Sequence, residues 1–337
     1  MKIISTENLD INDILKYFND VVVIPTETVY GLAAPINNEK ILMKIFKLKN
    51  RPCDNPLIVH VSDLDMLKTV IDGEIPKNYD KIIKKFWPGP ISLLFKANKK
   101  LSKIVTAGLD TVLVRIPDNE TIIKIIKTLN IPLAAPSANL SGNPSPSTIQ
   151  HTIDDFNDKI SLYIDGGKCK IGLESTVFSY LNDNPILLRP GAICRQKLEE
   201  IINKKIEIRY NQKNLNTDII SPGQKYKHYS PKNKFILIYN DYSDITDLIL
   251  NFSNFDKKIK IGILKHQNVI INISKIKNIE IFELGNNLSE IANNLYNGLR
   301  YLDVRCNIIF TCNVEDFMEG EAIMDRLKKS AHFIYKK

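Results

Sequence analysis

The sequence predicts an α+β domain with a largely mixed sheet, followed by a smaller open α/β domain. Three observations carry this. In the first 200 residues, short Val- and Ile-rich runs outnumber segments of helical period. Residues 211–234 have no periodicity and a linker's composition. A β-α-β repetition then fills the remainder. The 337 residues suffice for two cores. The expected division is 1–210, a linker at 211–234, and 235–337.

In chain order, VVVIPT (21–26) reads as a strand. A helix at 38–50 carries the stripe Ile41, Ile45 and Leu48. Residues 56–61 form a strand, and 64–70 and 79–86 form helices, the second stopped by Trp87-Pro88-Gly89-Pro90. Strands follow at 91–97, 111–117, 132–138, 162–165, 175–180 and 185–191, with helices at 121–129 and 147–155. Beyond the linker, strands are expected at 235–240, 260–264, 279–284 and 307–312, and helices at 243–252, 289–302 and 320–330.

Composition narrows the function. No apolar run approaches the roughly 18 residues needed to span a bilayer. Glu7, Asp10 and Asp13 stand where a targeting peptide would be basic, so a mature N-terminus is expected. Five Cys without a C-x-x-C pair argue against a disulfide framework or a zinc site, and point to a reduced, cytoplasmic chain. The net charge of +8 is uneven. Residues 1–210 hold 28 basic and 24 acidic side chains, and 235–337 hold 13 of each. The segment 211–234 carries five Lys against Asp218 alone, a basic connector suited to meeting an anion.

Nucleotide-binding motifs are missing. Gly167–Gly172 has phosphate-loop spacing, but Leu173-Glu174 follows where Lys-Ser/Thr is required, and no G-x-G-x-x-G follows a strand. There is no G-x-S-x-G and no H-E-x-x-H, and five scattered His form no metal cluster.

What remains are polar residues at strand ends. Thr26, Glu27, Thr28 and Tyr30 follow Pro25, and Gly31 opens the backbone; a ligand site and a hydroxyl-capped turn both explain them. Lys49 and Arg51 straddle Asn50 before Pro52, where an extended segment would aim both the same way as a phosphate clamp. Asn55 and His60 flank the next strand. PSANLSGNPSPS (136–147) reads either as a surface loop or as a backbone cradle for phosphate or sugar. Arg115 and Arg189, two of only eight Arg, each end an apolar strand beside Pro, and Glu174-Ser175-Thr176 begins another. Such a set suits an anionic ligand.

PTETVYGL, Lys49-x-Arg51, NPLIVHV, WPGP, Arg115-x-Pro, PSANLSG, DGG with EST, RPG and SPGQKYKHYSP resemble, in order, the YrdC-type threonylcarbamoyl-AMP synthase family. The resemblance covers about residues 8–233, and the remainder is similar to the extra domain of the family's long form. It implies a large twisted mixed sheet around a positively charged cavity, with a smaller, Rossmann-like C-terminal domain. It also implies a reaction, in which L-threonine, bicarbonate and ATP give L-threonylcarbamoyl-AMP and pyrophosphate. The product would serve a downstream transferase that modifies the adenosine beside the anticodon of tRNAs reading ANN codons. No nucleophilic triad is needed, because threonine nitrogen and the carbamate supply the nucleophiles.

By that resemblance, Lys49 and Arg51 are the expected catalytic cations, and replacing either by Ala should abolish turnover without unfolding the chain. Thr28, His60, Arg115, Ala135 and Ser175 would hold threonine. Arg51, Asn55, Thr111, Ser137, Asn139, Ser145, Arg189 and Tyr229 would hold ATP, with Mg²⁺ carried mainly by its phosphates. Ala33 stands where the family usually carries Gly. A double-stranded RNA or tRNA-binding module without turnover is the alternative. The modest charge and scarce Arg weigh against it. A carbamoyl-transfer module of hydrogenase maturation would carry zinc-finger and acylphosphatase-like segments, which are not seen.

Overall fold

The computed structural model describes residues 1–210, 221–222, 228–239, 245–255 and 258–336, the side chains of 253–255 and 275 excepted. Most of the basic segment at 211–234 therefore lies outside the described residues. The chain folds as two compact units: Met1–Ser141 with Ser145–Tyr226, and Gly142–Pro144 with Lys227–Lys337.

In the first unit, runs of apolar residues become strands wherever Pro, Gly or a polar turn bounds them. They are β1 (Lys2–Ser5), β2 (Val22–Ile24), β3 (Gly31–Pro35), β4 (Ile58–His60), β5 (Ile91–Lys96), β6 (Thr111–Arg115), β7 (Leu133–Ala134), β8 (Leu162–Asp165), β9 (Thr176–Ser179), β10 (Ile186–Arg189) and β11 (Glu207–Ile208). They form one sheet in the order β1-β8-β2-β3-β7-β4-β6-β5-β9-β10-β11. Pairs such as β4–β6 are parallel and pairs such as β5–β6 antiparallel, so the sheet is mixed as expected.

Buried Val, Ile and Leu from these strands, among them Val23, Val59, Leu93 and Val114, form one core. Helices cover it. Glu120–Leu129 starts on Asn119, whose side chain accepts the Ile122 N–H, and buries Ile122, Ile125 and Ile126. Each such side chain contributes about 1.5–3 kcal/mol on leaving water.

Several expectations need correction. The strand expected at 132–138 is only Leu133–Ala134, because Pro136 has no N–H to donate; beyond it the pairing continues as a single Gly31–Ser137 bridge. Gly31–Pro35, to which no element was assigned from sequence, is a buried strand whose Ala33 pairs with Val22. Arg195–Ile202 is a helix absent from the sequence-based expectation.

The helix Glu39–Lys49 buries Ile41, Leu42, Ile45, Phe46 and Lys49. Its apolar stripe therefore runs into Lys49 rather than Leu48. Asn50 follows at φ 50°, donating to Lys47 O, while Arg51 N–H reaches Phe46 O. This is a left-handed helix cap, so Lys49 and Arg51 do not alternate along an extended segment.

The second unit holds β12 (Lys234–Tyr239), β13 (Ile261–His266), β14 (Ile279–Gly285), β15 (Ile308–Cys312) and β16 (Phe333–Lys336). Their order is β14-β13-β15-β12-β16, and every pairing is parallel. An open α/β sheet was expected and is present. Its order is not the 3-2-1-4-5 of dinucleotide folds, because β15 lies between β13 and β12. Ile238, Ile261, Ile263 and Phe310 belong to its core.

Candidate active site

The sheet of the first unit delivers polar groups at its strand ends. Arg115 closes β6 and His60 closes β4, and the parallel register sets them side by side. Arg115 donates from Nε to Gly89 O at 3.1 Å and from Nη1 to Thr28 Oγ1 at 3.0 Å. Its Nη2 is ion-paired with Glu27.

Thr26 Oγ1 donates to Val29 O at 2.6 Å, so the 2.8 Å contact between the two threonine hydroxyls is donated by Thr28. That leaves a Thr28 lone pair for Arg115, and the turn is fixed by its own hydroxyls. Burial, then the Arg115 charge, pushes His60 down to about 3, so its imidazole is neutral at physiological pH.

A second cluster lies where β9 begins. Arg189, the last residue of β10, donates from Nε and Nη2 to Ser175 O at 3.2 and 2.8 Å, and from Nη2 to Ser175 Oγ at 3.1 Å. Ser175 Oγ also lies 2.8 Å from Ser92 Oγ of the buried β5. Ser145 Oγ donates to Glu174 Oε1 at 2.6 Å.

The loop after β7 is stitched to the sheet through its backbone. Leu32 N–H reaches Pro136 O, Ala138 N–H reaches Tyr30 O, and Tyr30 N–H reaches Pro146 O. Lys49 Nζ donates to Ser137 O at 2.5 Å and Asn139 O at 2.6 Å, with the residue 1% exposed. A cation that interior must be hydrogen-bonded, and these carbonyls supply what the helical stripe cannot.

The expected residues thus fall into groups. Thr28, His60 and Arg115 come together, and so do Ser175 and Arg189. Lys49, Ser137 and Asn139 form a third group. Ala135 N–H donates to Ile58 O, at the start of β4. Arg51 donates to Asn55 O at 3.2 Å and Pro56 O at 2.8 Å, so Arg51 and Asn55 also meet. Thr111 opens β6, about 13 Å by strand rise from Arg115, which closes it. Tyr229 lies in the second unit at φ 64°, buried, its ring 5.5 Å from Tyr296 and 5.1 Å from the Arg326 guanidinium. Glu27 and Glu174 were named in the sequence only among the polar residues at strand ends and given no role, and Ser92 was not selected. The pairing of Glu27 with a residue 88 positions later left no local signal.

A family model described as "Telomere recombination" matches residues 18–191, and one described as "Threonylcarbamoyl-AMP synthase, C-terminal domain" matches residues 193–332. The threonylcarbamoyl-AMP synthase of Pyrococcus abyssi is 38% identical over 319 residues, covering 93% of this chain and 91% of that protein. The chain belongs to the YrdC-type threonylcarbamoyl-AMP synthase family. The family member of Schizosaccharomyces pombe is 39% identical, over 96% of this chain and 88% of its own length. Among solved structures, Pyrococcus abyssi Sua5 complexed with L-threonine is similar with a TM-score of 0.90 and 36% identity, covering 100% of both chains.

Proposed function

We propose that this chain makes L-threonylcarbamoyl-AMP from L-threonine, bicarbonate and ATP. The threonine amine adds to the carbon of bicarbonate, water leaves, and a carbamate forms. A carbamate oxygen then attacks the α-phosphorus of ATP and pyrophosphate departs. Both nucleophiles come from the substrates, so the protein's task is to position them and to neutralise charge. The observation that carries this reading is the burial of Arg115, Arg189 and Lys49 at 3%, 5% and 1% exposure, with hydroxyls beside both arginines. Cations so interior suit a small anionic substrate and not a duplex backbone, which disfavours an RNA-binding module.

In this reading Arg115 takes the threonine carboxylate, with Thr28, neutral His60, Ala135 and Ser175 around the amino acid. Arg51, Asn55, Thr111, Ser137, Asn139, Ser145 and Arg189 serve the nucleotide. Lys49 holds the carbonyls of Ser137 and Asn139, and so shapes the loop that receives ATP. Among the described residues no three His, Cys, Asp or Glu are grouped to hold a metal ion. We infer that Mg²⁺ arrives on the phosphates of ATP as part of the substrate.

The product is a reactive mixed anhydride, which calls for prompt hand-over to a transferase acting on tRNA, and a cytoplasmic location fits that reading. No helix is long and apolar enough to cross a membrane among the described residues. The test is pyrophosphate release by the full chain. Release that requires both threonine and bicarbonate supports the reading; release indifferent to threonine, or tight RNA binding without turnover, refutes it.

A further inference from the structure

A carboxylate sits in the core of the first unit with few partners. The Glu27 side chain is 2% exposed, against 4% for the Arg115 side chain it faces. Neither Glu27 oxygen accepts a hydrogen bond among the described residues, which leaves the ion pair with Arg115 to hold the charge. The field of this carboxylate is felt nearby: burial, then the Glu27 charge, pushes the Cys169 thiol up to about 12.

Stability is a poor reason for such a pair. Desolvating two charges offsets most of their attraction, and a well-packed apolar pair often does as well. Orientation is a better one. The guanidinium is held by Gly89 O on Nε, by Thr28 Oγ1 on Nη1 and by Glu27 against Nη2. Contacts on all three nitrogens set the plane of a group that recognises carboxylates through its fork. Glu27 is itself fixed from behind, because its carbonyl accepts the Ile171 N–H at 2.9 Å.

We propose that Glu27 is a positioning residue for amino-acid recognition, its carboxylate holding the Arg115 guanidinium in the plane that receives the substrate carboxylate. This rests on the reading of Arg115 as the threonine-carboxylate partner. Glu27 acts through Arg115, so its loss costs threonine affinity and leaves the nucleotide side alone.

The experiment measures pyrophosphate release by the full chain, with KM for threonine and for ATP determined separately, in Glu27→Gln, Glu27→Asp, Arg115→Lys and the Glu27→Gln/Arg115→Lys double variant. Glu27→Gln is expected to raise the threonine KM about tenfold or more, with the ATP KM within about twofold. In the Arg115→Lys background, Glu27→Gln is expected to add less than about twofold, since its target is already altered. Glu27→Asp keeps the charge on a shorter stem and is expected to recover part of the loss.

A parallel rise in both KM values, or effects that multiply in the double variant, overturns the proposal. If Glu27→Gln shows no cooperative melt, Glu27→Asp decides alone: a threonine KM raised about threefold supports the proposal, and an unchanged one overturns it. If Arg115→Lys leaves the threonine KM unchanged, the threonine reading of Arg115 falls and this proposal with it. If Arg115→Lys raises it and Glu27→Gln does not, this proposal alone falls.

Discussion

Lys49 shows how a charged side chain comes to occupy a core position. It sits on the stripe that buries Ile41, Leu42, Ile45 and Phe46, and its ammonium finds the carbonyls of Ser137 and Asn139 at the stripe's end. Replacing it therefore does more than remove a positive charge. Lys49→Met keeps the stem but removes the ammonium from both carbonyls, of which Ser137 O keeps the Asn139 N–H at 3.0 Å, and is expected to lower stability by about 1–3 kcal/mol and to raise the ATP KM. Urea titration and steady-state kinetics measure both effects. His60 makes a different prediction. Its folded pKa of about 3 lies below the ordinary 6.5, so the unfolded state binds the extra proton between those values. The stability it gives is complete above about pH 6.5 and falls as pH drops, by up to about 1.4 kcal/mol per pH unit. His60→Gln is expected to flatten that part of the urea-midpoint profile between pH 7 and 5. Arg115, Arg189 and His60 were legible in sequence because each ends an apolar strand. The pairing of Glu27 was not, since a buried carboxylate looks like any other until its distant partner is known.

The strands that carry these side chains leave little slack. A Cβ on Gly191 would lie 2.4 Å from Thr176 N and 2.5 Å from Glu174 O, both backbone atoms. Gly191→Ala must therefore displace the start of β9, where Ser175 meets Arg189 and Ser92. It is expected to cost at least about tenfold in kcat/KM while the fold persists, checked by far-UV circular dichroism beside kinetics. The sequence showed most of these strands, because a Val- or Ile-rich run bounded by Pro or Gly has one reading. Among the elements it missed or misplaced, three have clear physical reasons. GLAAP has small residues where a strand signal needs branched ones. PLAAPSA is cut short by its second Pro. Arg195–Ile202 buries only Leu198, so its stripe was too thin to see.

Each unit carries a core of its own, one around the eleven-stranded mixed sheet and one around five parallel strands. Heat should not melt two such cores as a single cooperative event. Calorimetry is expected to give a calorimetric enthalpy larger than the van't Hoff value, and threonine with ATP is expected to raise one component selectively. The break in composition after residue 208 made this organisation readable. Strand order was not, because parallel strands of similar apolar content carry no mark of their neighbours; hence β15 came to lie between β13 and β12 unannounced. One consequence concerns chemistry applied from outside. The chain is rich in lysine, and an acylating reagent has many amines to choose from. Lys49, enclosed between the helix end and the loop after β7, should be the straggler among them. Its acetylation, read by mass spectrometry, would time the moments when that loop lifts away.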